Sequence, residues 1–124
     1  MPNYPTTKYR IPDEIIKREI ALEKEYGIDD IKLYGYFDGD ESIYIVGEIV
    51  AKKTPPNSFC MMCTVYDKED DIIETTESSS YGSGLVTSMI HPSTFFDGFP
   101  FKFSVYGVPK KKIKEICIYP ASSY

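Results

Sequence analysis

The sequence has no tryptophan, one histidine and three cysteines in 124 residues. Each scarcity excludes something. Any Ser-His-Asp or Cys-His arrangement would have to use His91, which precedes Pro92 in a turn-like string, and no G-x-S-x-G elbow is present. No catalytic residue is assigned on this basis. Cys60, Cys63 and Cys117 are odd in number, so at least one thiol is free, which fits a reducing compartment. Cys60 and Cys63 form a C-x-x-C string, but inside Phe59–Tyr66, which reads as a strand. A redox pair belongs at a helix N-terminus, where the dipole lowers the thiol pKa. Strand residues three apart face opposite sides, so the two read as structural thiols that neither bridge nor share a metal.

Long apolar runs are also missing. Nothing approaches the roughly 18 residues of a membrane-spanning helix, and Met1–Pro5 has no hydrophobic core of a secretory signal. The expected location is cytoplasmic, with a secreted or surface-anchored protein lacking its leader as the alternative. Positive charge is short: 14 Lys and Arg stand against 19 Asp and Glu, a net charge of −5. That balance argues against nucleic acid as a partner, since phosphate contacts need clustered cations, and it points to a basic partner instead.

What is there is β pattern. Residues 1–30 read as an arm followed by an amphipathic helix over 12–26. Pro12 suits the first helical position, Asp13 and Glu14 suit the positive dipole end, and Gly27 suits the stop. Ile15, Ile16, Ile20, Leu22 and Tyr26 would share one face. From residue 31 the period changes to 2. Strands are predicted over 31–37, 43–51, 59–66, 72–77, 85–90, 99–105 and 113–119. Ile43, Ile45, Gly47 and Ile49 face one way, as do Phe59, Met61, Cys63 and Val65, and Phe99, Phe101, Phe103 and Val105. Asp38-Gly39 marks a hairpin. Seven short strands with no helix between them predict a mainly β, immunoglobulin-like antiparallel sandwich over residues 31–124, with one N-terminal helix.

Tyr44-Ile45-Val46-Gly47-Glu48-Ile49-Val50, then Val65-Tyr66-Asp67-Lys68-Glu69-Asp70-Asp71-Ile72-Ile73, resembles the bacterial FxLYD-type domain. Pro92 and Phe99–Phe103 extend the likeness over residues 43–105. Val65 stands for the motif's Leu, Asp70 for a turn Gly, and Lys52 for a strand-ending Asn. Asp tolerates the left-handed backbone that such a Gly supplies. The resemblance implies a sandwich without known catalysis and carries over no functional residue.

An A-to-G sandwich would gather Asp38, Asp40, Glu41, Asp67, Glu69, Asp70 and Asp71 at one end, with Asp97 as a further member. Asp38, Asp40, Asp67 and Asp70 are then a candidate Ca²⁺ set, since loop carboxylates are the ligands that ion takes. The spacing is not that of an EF-hand, and no cofactor is expected. The opposite end would carry recognition loops with Pro55, Asn57, Ser79, Tyr81, Ser83, Lys110, Lys111 and Lys112. Tyr34, Tyr36, Tyr44, Tyr106 and Tyr119 lie on strands, and several would share an outer sheet face. The leading expectation is a non-enzymatic module that binds a protein partner through such loops or such a face. Two alternatives are an acidic inhibitor or immunity-type protein masking a basic enzyme, and a Ca²⁺-dependent carbohydrate-binding domain. An unpaired edge strand would also allow a homodimer by strand addition. Thiol titration in denaturant should find at least one reactive group per chain; finding fewer rejects the free-thiol reading.

Overall fold

The structure, a computed structural model, describes residues 8–39, 41–78 and 89–122. Segments rich in β-branched and aromatic residues form strands. Six are long: β3 (Asp30–Asp38), β4 (Ser42–Val50), β5 (Phe59–Asp67), β6 (Ile72–Glu77), β8 (Phe99–Tyr106) and β9 (Ile113–Ala121). Three are short: β1 (Lys8–Arg10), β2 (Ile16–Arg18) and β7 (Met89–Ile90). One short helix, α1, spans Ile20–Glu25. The front sheet has the order β1-β3-β4-β8, and the back sheet β2-β9-β5-β6 with β7 paired to β5. β4 pairs with β8 in one sheet and β5 with β9 in the other, and the chain crosses between sheets after β1, β2, β4, β7 and β8. This is the mainly β, immunoglobulin-like sandwich that the alternation predicts, with nine strands rather than seven among the described residues. No helix among the described residues is long and apolar enough to cross a membrane.

The alternating sets fill the space between the sheets. Ile43, Ile45 and Ile49 of β4, Phe99, Phe101, Phe103 and Val105 of β8, and Met61, Cys63 and Val65 of β5 are all buried in one cluster with Ile116 and Ile118. Gly47 sits in that alternation because nothing larger fits. A Cβ there would lie 2.4 Å from Phe101 Cζ and 2.9 Å from Leu33 Cδ2. At the β5–β6 turn, Asp70 has φ of +65°, a left-handed conformation that Asp tolerates better than most residues with a side chain.

Residues 12–26 do not form the single helix expected. Residues 13–15 turn, Ile16–Arg18 is a strand parallel to β9, and only six residues are helical. Ile15 and Ile16 are β-branched and stiff, and a six-residue helix has little stability of its own. Pairing with Ile116–Ile118 therefore overrides the helical pattern. β1 lies on β3 and β2 on β9, so residues 8–10 and 16–18 are strands of the two sheets.

A buried ion pair secures the segment. Glu23 of α1 is 1% exposed. Arg18 of β2 donates to it from Nε at 3.0 Å and from Nη2 at 2.6 Å, and Nη2 also lies 3.0 Å from Asp30 Oδ1 at the start of β3. Hydrogen bonding to Glu23, then the charges of Glu23 and Asp30, push the Arg18 pKa up despite its partial burial. Arg18→Ala should lower unfolding free energy by about 3–5 kcal/mol, because it strands the buried Glu23 carboxylate. The double variant Arg18→Met, Glu23→Leu should lose much less. Urea unfolding of both checks this; equal losses would mean that packing, not charge pairing, is what matters here.

Candidate recognition face

The outward side chains of β3, β4 and β8 form an aromatic face on the front sheet. Strand parity sends Ile43, Ile45 and Ile49 inward, so Tyr44 and Val46 point out, and their cross-strand partners follow. Tyr36 pairs with Tyr44, Tyr34 with Val46, and Ser42 with Tyr106. The Tyr36 and Tyr44 rings are 5.8 Å apart, and Tyr44 and Tyr106 meet edge-on at 5.9 Å. A hydrogen bond to Tyr106, with a smaller contribution from burial, pushes the Tyr44 phenol pKa up. Tyr34, Val46 and Tyr106 remain 54%, 38% and 64% exposed.

Tyr34 stands between two shallow hollows. One, of about 430 Å³, is lined by Arg10, Tyr34, Gly35 and Tyr36. The other, of about 460 Å³, is lined by Lys32, Tyr34, Val46, Glu48, Pro100 and Lys102 among others. Arg10 lies over the Tyr34 ring, 5.3 Å from its centroid. β1 brings Arg10 there by pairing it with Tyr36. Sequence reading had no signal for β1, whose three residues lack an alternating apolar set. Tyr119 is not part of this face. It lies on β9 of the back sheet and hydrogen-bonds Thr64 at 2.8 Å.

The β3–β4 and β5–β6 turns lie at the same end of the sandwich, and the lysines lie there with them. β8 ends beside Ser42, and β9 begins opposite Asp67, so residues 107–112 cross the same end as the β3–β4 and β5–β6 turns. Gly107 and Val108 N–H groups donate to Glu41 O. Lys110 covers the Tyr9 and Phe37 rings, Lys111 and Lys112 line a hollow with Asp67 and Glu69, and Lys114 Nζ is 2.5 Å from Asp70 Oδ1. Lys110, Lys111 and Lys112 therefore do not join Pro55 and Asn57 in one loop cluster. The reason is chain direction: β6 and β7 both run antiparallel to β5 along the same side, so direction does not reverse between them and every later connection changes ends.

Asp97 lies at the other end, accepting the Ala51 N–H at 3.2 Å. Asp67 spends Oδ1 on the N–H groups of Glu69 and Asp71, 2.9 Å each. Among the described residues, no group of three or more His, Cys, Asp or Glu can hold a metal ion, so Asp38, Asp67 and Asp70 do not converge. Asp40, the fourth member of that set, lies outside the described residues, as do Ser79, Tyr81 and Ser83. Pro55, expected in a recognition loop, is buried against the Gly27 turn, whereas Asn57 is exposed. His91 Nδ1 lies 2.8 Å from Ser58 Oγ on the surface, a contact that the sequence separation hid. No acid among the described residues orients that ring.

Matched against family models, curated proteins and solved structures, the chain finds no counterpart.

All three cysteines are free. Burial, with a lesser contribution from Cys117, pushes the Cys63 thiol from 9.0 up to about 12. The folded state thus keeps a proton that the unfolded state releases. Stability is full below pH 9.0 and falls as pH rises toward about 12. The loss over that window is about 4 kcal/mol from this thiol, at about 1.4 kcal/mol per pH unit. Urea midpoints measured between these limits should fall more steeply for the wild type than for Cys63→Ala; parallel slopes would contradict the assignment.

Proposed function

We propose that the protein is a non-enzymatic recognition module that binds a protein partner through the tyrosine face of its front sheet. The observation that carries this is the exposure of Tyr34, Val46 and Tyr106 around the packed Tyr36–Tyr44 pair. Tyrosines that pack on one another lose little side-chain entropy on binding and offer both apolar area and a hydroxyl, which is why they anchor interfaces. The strands beneath are rigid, so the face is preorganised. The rings are tilted or edge-on to one another rather than coplanar, which suits a side-chain surface better than a flat sugar ring. The FxLYD-type resemblance of residues 43–105, which implies no catalysis, supports the same reading. The free thiols support a reducing compartment.

Wild-type protein and the variant Tyr34→Ala, Tyr106→Ala should be immobilised side by side and exposed to native lysate. A partner retained by the wild type should be lost from the variant, with each anchor worth about 2 kcal/mol or more. Both substitutions are on the surface, and far-UV circular dichroism confirms the fold. Identical retention by both proteins would remove the face from consideration.

A further inference from the structure

We infer that the segment bound by the tyrosine face is acidic: a polypeptide stretch carrying carboxylates beside apolar or aromatic side chains. This rests on the recognition reading above. The chain as a whole predicts the contrary, because its net charge of −5 favours a basic partner. The distribution of charge reverses that expectation locally. The two hollows flanking Tyr34 are lined by three cations, Arg10, Lys32 and Lys102, and by one carboxylate, Glu48. Asp38 lies on the same strand face beyond Tyr36, at the hairpin end.

The cations are suitably placed. Arg10 lies over Tyr34, and its ion pair among the described residues is a long one with Asp13, 3.6 Å between two well-exposed side chains. Such a surface pair is worth little and yields readily to a bidentate carboxylate. Lys32 stands opposite Glu48 across the strand pair, with no ion pair closed between them. At the hairpin end, Lys111, Lys112 and Lys114 stand against Asp67, Glu69 and Asp70, so the acids there are offset locally. An incoming acidic segment therefore meets a face that is aromatic at its centre and cationic along both sides of Tyr34.

Two fluorescein-labelled random copolymers, poly(Glu,Tyr) and poly(Lys,Tyr), provide the test, with binding followed by anisotropy at low salt. The wild type should bind poly(Glu,Tyr) about tenfold more tightly than poly(Lys,Tyr), despite its own charge. Arg10→Glu, Lys32→Glu should reduce poly(Glu,Tyr) binding about tenfold or more, Tyr34→Ala should also weaken it, and Lys53→Glu at the far end should not. Preference for poly(Lys,Tyr), no binding of either polymer, or poly(Glu,Tyr) binding unaffected by Arg10→Glu, Lys32→Glu would each overturn the acidic ligand. If poly(Lys,Tyr) is preferred and Tyr34→Ala abolishes its binding, the face survives as the site and only the acidic ligand falls. Binding that ignores Tyr34→Ala removes both readings.

Discussion

The buried Arg18–Glu23 pair is the constraint on which the N-terminal third of the molecule depends. A carboxylate with 1% exposure persists as a charge only if its oxygens are fully engaged, and the two guanidinium contacts do this. Three elements meet at that point. Arg18 belongs to β2 of the back sheet, Glu23 to α1, and Asp30 opens β3 of the front sheet. The pair therefore ties the two sheets along one edge. It also seats the end of α1, where the Ile28 N–H donates to Glu23 O at 2.9 Å.

That edge is where a chain of this kind is vulnerable. β9 is nine residues long, and β2 covers only three of them on the outer side. So short a parallel strand has few hydrogen bonds of its own, and its hold comes from Ile16 packing toward Gly35 and from the ion pair that follows it. The same stretch delivers β1. Ile11 is buried and its N–H donates to Gly35 O at 2.8 Å, which leaves Arg10, one residue earlier, over Tyr34. A clamp built for folding thus also places a cation on the aromatic face.

The face and the charged end divide the surface between them. At the hairpin end Lys114 pairs with Asp70, Lys111 and Lys112 line a hollow with Asp67 and Glu69, and the Gly107 and Val108 N–H groups donate to Glu41 O. The front sheet keeps its aromatic side chains exposed with cations at the margins. Net charge averaged over the chain hides this division, because a binding partner responds to the potential within about a Debye length, near 8–10 Å, and not to the sum.

The alternation of apolar residues determined the sandwich without help from the structure. Period-2 runs such as Phe99–Val105 can bury one face only as strands, and the turn at Asp67–Asp71 was legible because Asp tolerates the backbone that the turn requires. The shared face of Tyr34, Tyr36, Tyr44 and Tyr106 follows from the same parity. The fate of residues 12–18 was decided by tertiary structure: their 3.6-residue pattern is real, but pairing with β9 and the charge of Glu23 outweigh a marginal local preference. Placement of the lysines beside the acidic turns, of Arg10 over Tyr34 and of Ser58 beside His91 was likewise decided only in three dimensions. Local sequence specifies which side of a strand a residue faces, but which loops share an end depends on how distant strands pair, and that is set by the packing of the whole core.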